Sequence, residues 1–475
     1  MLLGAVTAGG DGRALVARLN KNVRARNARV HLVAETAFGP YLRLCRYRLG
    51  NGLTVLTMLD RSAPVVSYHT WYRVGSRHET PGKTGLAHLF EHLMFSETKS
   101  RPAGEFDALL EAAGAESNAA TWTDWTYYYE NLPKRELELA VALESDRMAN
   151  LVLRDPQVAS EKEVVANERR YRVDDSVEGT ADEALYKHAF TRHPYRWPTI
   201  GWMEDIQGFT TEDCRRFYRT YYAPNNATLI LVGDFDEEEA LRLVQARYGG
   251  MKSARIPEER IAAEPPQKKE RRVHLRQPTS SEKVLVGYRS PSMSHRDYPV
   301  LTVLHEVLFG GRSGRLHRLL VEETEKATQV RGSVAPFRYE GLYEMWISMR
   351  EGKRGRDGLA LLDAELTRLH REPVEAPELE KAKNRLELAF LEGMTTAGGK
   401  AEQIGFYESV VGDGGAVFAQ LEAYRRVTAD DLRRAARTYL VKNRRTVVEV
   451  APEAKSKGRA KRGGKRRAER AGKTR

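Results

Sequence analysis

Hydrophobic and polar positions divide the first half of the chain into segments of different period. Residues 43–49 and 53–59 alternate or run apolar as strands do, and the Asn51-Gly52 pair between them is typical of a hairpin turn. From residue 84 onward the apolar spacing becomes helical. Further helices are predicted at 104–115, 134–152 and 157–173, and one strand, rich in Thr, Trp and Tyr, is predicted at 116–131.

The pattern restarts after a polar, proline-containing stretch at 251–270, which is typical of a linker. Strands, helices and a closing strand then follow in the order that the first half shows. This repetition predicts an internal duplication, and the expected fold class is α+β, with two homologous α/β-sandwich domains joined by a linker. The expected boundaries are 1–40 for an N-terminal extension, 41–250 for the first domain, 251–270 for the linker, 271–452 for the second domain and 453–475 for a basic tail.

Composition sets outer limits on the class of protein. A chain of 475 residues is too long for one compact core, and 41% hydrophobic with 30% charged residues is typical of a globular protein. No apolar run reaches the length of a membrane span, so none is expected. The first residues lack the basic start of a signal peptide, which gives a cytoplasmic default; a different start site would allow a periplasmic location.

The two cysteines, Cys45 and Cys214, exclude a disulfide framework and a cysteine-rich zinc site. Any metal must therefore be held by His and carboxylate side chains.

Most of the formal net charge of +12 belongs to the end of the chain, where residues 455–475 carry eleven Lys or Arg against one Glu. Such a segment is expected to be disordered and to act as a solubilising or non-specific polyanion-binding tail. No specific nucleic-acid partner is expected, because the tail has no interleaved aromatic residues and the chain has no nucleic-acid-binding motif.

One motif carries chemistry. His88 and His92 lie four residues apart in a predicted helix, so both imidazoles can point the same way and chelate one ion. Glu91 lies between them in sequence and reaches the same region. The order His-x-x-Glu-His inverts the better-known His-Glu-x-x-His motif. The alternative interpretation is a pair of histidines on a helix surface.

A catalytic zinc ion typically takes three protein ligands and leaves one position open. The predicted helix at 157–173 offers Glu161 and Glu168, which lie seven residues apart on one helical face. Such a face alone is typical of solvated carboxylates. Next to a histidine pair, it favours a third ligand.

These segments resemble the pitrilysin/insulinase family (M16) of inverzincin metallopeptidases, which includes the mitochondrial processing peptidase. The resemblance rests on N-G-L-T-V at 51–55, V-G-S-R-H-E-T-P-G-K-T-G-L-A-H-L-F-E-H-L-M-F at 74–95, S-N-A-A-T-W-T-D-W-T-Y-Y at 117–128 and Y-Y-A-P-N-N-A-T-L-I-L-V-G-D at 221–234. It is specific from residue 43 to about 250 and continues more weakly to about 450. It implies two processing-peptidase-like half-shells.

The resemblance also implies a zinc-dependent metalloendopeptidase that hydrolyses short or unfolded peptides, with one Zn²⁺ per chain. It implies that Glu91 activates the zinc-bound water. The remaining implied roles are metal ligands for His88, His92 and Glu168, a supporting acid for Glu161, and a strand edge that pairs with the peptide substrate at Asn118 and Ala119.

The chain departs from the family in its second half, where active members carry an Arg and, seven residues later, a Tyr. Val321 and Thr328 occupy these positions, and neither can supply the missing donors. The favoured interpretation is the catalytic subunit of a heterodimer whose related partner supplies the Arg/Tyr pair. One alternative is a shifted alignment, with Arg331, Arg338, Tyr339 or Tyr343 in the role; another is a weakly active or non-catalytic assembly subunit.

The glycine run at 310–314 has two interpretations. It is either a mobile substrate-handling loop or, as favoured, a helix terminus followed by a turn.

Overall fold

The computed structural model describes residues 10–453 of the chain. The predicted basic tail from residue 454 onward lies outside the described residues.

A seven-stranded mixed sheet forms the centre of the first half, in the order β1-β2-β3-β7-β4-β6-β5. Its central strand β7 is buried at every position, as its apolar sequence requires. The strands are β1 (Val30–Phe38), β2 (Leu42–Leu49), β3 (Thr54–Leu59), β4 (Val65–Tyr72), β5 (Glu116–Thr121), β6 (Thr126–Pro133) and β7 (Ala227–Gly233).

Helices of the first half surround this sheet, and the second of them contains the His-x-x-Glu-His motif. They are α1 (Gly10–Asn20), α2 (Leu86–Leu93), α3 (Glu105–Ala112), α4 (Leu137–Asn150), α5 (Asp155–Arg169), α6 (Val177–Ala189), α7 (Met203–Gly208), α8 (Thr211–Tyr221) and α9 (Glu237–Tyr248).

The second half contains a five-stranded sheet in the order β10-β11-β9-β12-β8. Its strands are β8 (Arg271–Gln277), β9 (Lys283–Ser290), β10 (Ala327–Val334), β11 (Gly341–Met349) and β12 (Arg445–Pro452). Its helices are α10 (Tyr298–Phe309), α11 (Arg315–His317), α12 (Gly355–Arg371), α13 (Ala376–Gly393), α14 (Ala397–Val410), α15 (Val417–Arg426) and α16 (Ala429–Tyr439).

The two sheets share one topology. Strands β3-β7-β4-β6-β5 have the order and the parallel and antiparallel directions of β8-β12-β9-β11-β10. The helices that precede β7 and β12 also begin in the same way. Thr210 and Asp213 form a capping box on α8, and Thr428 and Asp431 form one on α16. The predicted α+β fold with two related halves is confirmed.

The first sheet is longer by two strands, β1 and β2, and β1 comes from the N-terminal segment. β1 pairs antiparallel with β2, and α1 packs on β1. The described part of the predicted extension, residues 10–40, therefore belongs to the first sheet, and this corrects the sequence-based boundary at residue 40. Only Val30 and Glu35 of the nine β1 residues are buried, because β1 is an edge strand.

Each half covers the sheet of the other half with one helix. α6 packs on β8, β9 and β12, where Leu185 joins a core with Leu285 and Trp346. α14 packs on β4 and β7, where Ile404 joins a core with Trp71. Because each sheet is completed by the other half, the two halves share two of their hydrophobic cores.

Ion pairs fasten α14 to the first sheet. Lys400, almost fully buried, donates to Asp60 at 2.8 Å, and Arg46 on β2 pairs with the buried Glu408 through both of its terminal nitrogens. These charged contacts are satisfied only when the helix sits on the sheet.

Some sequence-based predictions differ from the structure, and one agrees with it. The single strand expected at 116–131 is the hairpin of β5 and β6, because the backbone N–H of Trp122 donates to the carbonyl of Trp125 and closes a turn. Helices α6 and α14 were not predicted. The glycine run at 310–314 ends α10 and leads through Gly311, at φ 68°, into α11, which agrees with the favoured helix-terminus interpretation.

Residues 251–270 contain neither helix nor strand and connect α9 to β8. None of the helices in residues 10–453 is both long and apolar enough to cross a membrane.

Candidate metal centre

Helix α2 places the His-x-x-Glu-His motif against the inside of the first half. Its apolar side chains, Leu89, Phe90 and Leu93 among them, are fully buried in the first core. The other face carries His88, which is buried, and His92, which is half-buried. The amphipathic pattern therefore aims both imidazoles in one direction, as the sequence predicts.

Helix α5 brings the third residue of the predicted set to the same place. Glu168 Oε2 lies 3.6 Å from His88 Nε2 and 3.4 Å from His92 Nε2, and one donor atom from each of these residues lies within 4.8 Å of the others. Donor atoms about 2.1 Å from one ion in tetrahedral geometry are about 3.4 Å apart. The observed spacing therefore fits a single zinc-sized cation.

The hydrogen bonding of the cluster also fits a bound cation. Glu168 Oε2 and His88 Nδ1 are buried without a hydrogen-bond partner. An unsatisfied buried carboxylate oxygen is costly, and a cation between the three side chains would offset that cost.

The electrostatics of the cluster favour positive charge beside Glu168. Burial lowers the pKa of His88 to about 4, so this imidazole is neutral and free to donate its lone pair. Burial also lowers the pKa of His92, but the carboxylates of Glu161 and Glu168 outweigh it and raise that pKa to about 9. The pKa of Glu168 is lowered, first of all by His92.

Two further side chains hold the predicted ligands in place. Glu161 Oε2 lies 3.6 Å from His92 Nδ1, the nitrogen that faces away from Glu168. Arg172 Nη1 lies 2.8 Å from Glu168 Oε1, which leaves Oε2 to face the histidines. Such partners orient metal ligands and raise their basicity. Arg172 was not singled out from the sequence, although its position four residues after Glu168 on a helix is a recognisable signal.

A short π-helical segment, Arg170–Asp174, follows the end of α5, two residues after Glu168. The wider turn interrupts the regular α-helical spacing at the point where Arg172 leaves the helix. Segments of this kind are frequent at functional sites.

Glu91 lies between the histidines in sequence and beside the end of β5 in space. Its Oε2 is buried without a hydrogen-bond partner. Burial raises the pKa of Glu91, against smaller opposite contributions from Thr121 and His92. A carboxylate with a raised pKa next to a candidate metal position has the properties of a general base.

Strand β5 is an edge of the first sheet and packs beside α2. Asn118 pairs with Tyr129 and Ala119 with Tyr128, on the neighbouring strand β6. The backbone N–H of Ala119 donates to the side-chain Oδ1 of Asn118 at 2.8 Å. The predicted substrate-pairing positions therefore lie on an open strand edge next to the cluster, with one main-chain donor covered by a side chain.

The positions expected to lack the Arg/Tyr pair lie in the second half. Val321 packs against the second core, and the Thr328 hydroxyl donates to the carbonyl of Ser348 at 3.3 Å. Val321 is part of a π-helical segment, Arg318–Glu323.

The four alternative residues have other contacts. Arg331 pairs with Glu178 at 2.7 Å, the guanidinium of Arg338 donates to the carbonyl of Val410, and the Tyr339 hydroxyl donates to Glu259 at 2.9 Å. The fourth, Tyr343, is fully buried in the second core.

A cavity of about 380 Å³ adjoins the cluster, because Arg172 forms part of its wall. Side chains from both halves line it, with Asp182 and Tyr186 on α6 facing Glu344 on β11. Burial raises the pKa of Asp182 to about 6 and that of Glu344 to about 8. The space beside the candidate metal centre therefore has an acidic wall built jointly by the two halves.

Comparison with known proteins assigns both halves to one class. Residues 54–201 match the family described as Insulinase (Peptidase family M16), and residues 208–386 match the family described as Peptidase M16 inactive domain. The fold is thus that of a two-domain M16-type protein.

Curated relatives include the zinc protease PqqE of Helicobacter pylori, 36% identical over 293 residues that make up 59% of this chain and 64% of that protein. An uncharacterized zinc protease of Mycobacterium leprae is 31% identical over 65% of this chain and 70% of its own length. The chain belongs to the insulinase family of peptidases, family M16.

Solved structures agree at the level of the fold. The crystal structure of a protease from Helicobacter pylori matches 87% of this chain and all of its own, with a TM-score of 0.82 and 29% identity. A peptidase M16 inactive domain from Pseudomonas fluorescens matches 86% of this chain and 98% of its own, with a TM-score of 0.78 at 18% identity.

Proposed function

We propose that this protein is a zinc-dependent metalloendopeptidase, acting on short or unfolded peptides as the catalytic subunit of a heterodimer. The observation that carries the proposal is the placement of Glu168 Oε2 at 3.6 and 3.4 Å from the Nε2 atoms of His88 and His92, with Glu91 beside them. Two imidazoles, one carboxylate and an open position form the donor set that suits zinc best. The relatives described as zinc proteases support the choice of metal.

Bound zinc would polarise the scissile carbonyl and lower the pKa of a water molecule. Glu91 takes the proton of that water and later delivers it to the leaving amine. Its raised pKa, caused first of all by burial, suits both transfers.

Strand β5 holds the peptide. An extended substrate would pair with the open edge at Asn118–Thr121 through main-chain hydrogen bonds, which tolerate many side chains. Asn118 would swing away and release the N–H of Ala119 that it now covers. The acidic cavity wall then adjoins the bound peptide on the side of the second half.

The partner of this chain would be a related M16-type subunit. Neither Val321 nor Thr328 can donate to a developing oxyanion from its observed position. Loss of one such donor typically costs about 100- to 1000-fold in rate. A related chain with the Arg/Tyr pair would restore it.

A second candidate function is a weakly active or non-catalytic assembly subunit. It is favoured by the same two residues and by the match of the second half to a family described as inactive. It does not explain why His88, Glu91, His92 and Glu168 are all present in one place.

The deciding experiment measures zinc content and cleavage of an unstructured peptide library by the purified chain, with and without a related partner chain. Glu91→Gln tests the base, and Glu306→Gln on α10, the corresponding helix of the second half, is the matched control. Cleavage only with the partner, lost in Glu91→Gln while zinc remains bound, supports the catalytic-subunit proposal. Full activity of the chain alone contradicts the heterodimer, and bound zinc without cleavage in either mixture favours the assembly subunit.

Polyanion binding by the basic tail is a separate hypothesis on residues outside the described range. Deleting residues 455–475 is expected to abolish such binding and to leave peptidase activity unchanged. A loss of cleavage in the truncated chain would show that the tail has another role.

A further inference from the structure

The N-terminus of α2 is capped by a buried carboxylate from the preceding loop. Glu79, 8% exposed, accepts hydrogen bonds from the backbone N–H groups of Gly85 at 2.8 Å and Ala87 at 2.7 Å. Both N–H groups belong to the first turn, where a helix has no acceptors of its own. Glu79 supplies these acceptors at the positive end of the helix.

His88 depends on this cap because of its position in the helix. The first hydrogen bond within α2 runs from the N–H of Leu89 to the carbonyl of Gly85. His88 precedes that bond, so the regular helical ladder does not fix its backbone N–H. His92, in the last turn, lies within the ladder.

The same turn is held from outside by a close backbone contact. Gly85 has φ 91° and Gly201 has φ 86°, and a Cβ on either would lie 2.2–2.3 Å from a carbonyl oxygen of the facing segment. Thr84 adds hydrogen bonds from its N–H and its hydroxyl to Asp205, at 3.0 and 2.6 Å. The start of α2 thus has one tightly defined position.

This junction also reaches the helix that carries Glu168. Arg169, the next residue on α5, donates to the carbonyl of Gly201 at 2.7 Å and is itself almost fully buried. The helices that carry His88 and Glu168 are therefore both held against the backbone contact between Gly85 and Gly201.

We propose that Glu79 is a positioning residue of the metal centre: its carboxylate fixes the first turn of α2 and thereby the place of His88 relative to Glu168. The proposal rests on the zinc site of the proposed function. It predicts that loss of the carboxylate weakens metal binding while the rest of the first half stays folded, since the buried apolar face of α2 remains.

The test compares Glu79→Gln with Glu264→Gln in the full-length chain. Glu264 is a matched control, because it accepts backbone N–H groups of Thr191, Arg192 and His193 at 2.7–3.0 Å, away from the histidines. Zinc affinity is measured by chelator competition, the ligand geometry by the visible absorption of the cobalt-substituted protein, and the fold by thermal melting in chelator.

Glu79→Gln is expected to weaken zinc binding about 10- to 100-fold and to alter the cobalt spectrum, as loss of a ligand-orienting partner does. Glu264→Gln is expected to leave both unchanged. Zinc affinity of Glu79→Gln equal to that of the unaltered chain would overturn the proposal. Absence of zinc binding by the unaltered chain would instead overturn the proposed function.

Should Glu79→Gln fail to fold, Glu79→Asp decides the question. It keeps the carboxyl group and shortens its reach, so weaker zinc binding and an altered cobalt spectrum are expected. An unchanged affinity and spectrum in this variant would again overturn the proposal.

Discussion

The two halves use the same pair of helices in opposite ways. α2 and α10 occupy equivalent places in the shared topology, since α2 connects β4 to β5 through α3 and α10 lies between β9 and β10. α5 and α13 are also equivalent, since each is the second helix after β6 or β11. In the second half α10 is almost wholly apolar and packs directly on α13. In the first half the facing sides of α2 and α5 carry the two histidines and Glu168.

The comparison of α10 with α2 shows that substitutions on one side of one helix are enough to change the chemistry of this fold. Seven apolar or aromatic residues of α10 are buried, and a single ion pair, Glu306 with Arg385, lies beside them. α2 keeps its apolar side towards the core and exchanges only the side towards α5. The same arrangement of two helices therefore forms an apolar contact between α10 and α13 and a candidate metal centre between α2 and α5. Function follows from the site and not from the fold.

The largest effect is expected from removing the carboxylate ligand in the first half. Glu168→Gln takes away the charge between the histidines, so zinc is lost and cleavage falls at least as far as for a missing general base, about 100- to 10,000-fold. Metal analysis together with peptide cleavage measures both. The same type of substitution on the other helix pair, Glu306→Gln on α10, should leave both quantities within about two-fold. Zinc retained at full occupancy in Glu168→Gln would remove Glu168 from the ligand set.

Metal removal should lower the stability of the first half more than that of the second half. At zinc concentrations about 100 times the dissociation constant, binding stabilises the folded state by about 2.7 kcal/mol, so chelation should lower the thermal midpoint by about 3 °C. Amide hydrogen exchange should rise in α2 and α5 and stay unchanged in α10 and α13. Equal changes in both helix pairs would mean that the ion does not bind between α2 and α5.

The reciprocal helix packing gives a third comparison. A Cβ on Gly405 of α14 would lie 2.2 Å from the ring of the buried Trp71, whereas a Cβ on Gly287 of β9 would lie 3.0 Å from the flexible end of Leu185 on α6. Gly405→Ala is therefore expected to lower the free energy of unfolding by about 1–3 kcal/mol, and Gly287→Ala by less. Denaturant titration measures both values. The opposite ranking would show that α14 adapts on the first sheet more easily than α6 does on the second.

The smallest effect is expected at a contact that bridges the halves near the surface. Arg331 and Glu178 are each about half exposed, so Arg331→Met should change the free energy of unfolding by less than about 1 kcal/mol. Cleavage by the chain with its partner should remain unchanged. Loss of that cleavage would instead favour the shifted alignment, in which Arg331 serves as the missing donor.

Local signals were enough for the elements whose burial follows from their own pattern. The strands at 43–49 and 53–59 correspond to β2 and β3 within one residue, because their own alternating or apolar runs define them. Helices α6 and α14 were not predicted, because their burial does not follow from their own sequence pattern. Their buried faces meet the sheet of the other half, and three glycines in α14 weaken its own helical preference.

The residues of the candidate site also differ in how far the sequence alone could predict them. The spacing of His88, Glu91 and His92 on one helix could be read directly, since i and i+4 on a helix face one direction. Glu168 required the resemblance to a family, because 76 positions separate it from His92 in sequence. Glu79 gave no local signal, since its partners are backbone N–H groups that any residue provides.

The sequence by itself determined the class of the two halves and the His-x-x-Glu-His motif, because these depend on residue type and short-range spacing. The tertiary structure alone decided that the N-terminal segment completes the first sheet and that each half covers the other. It also decided that Glu168 meets the histidines at 3.4–3.6 Å and that a buried loop carboxylate holds the first turn of α2. The physical reason is that burial and closeness between distant segments exist only after the chain has packed, and no local period encodes them.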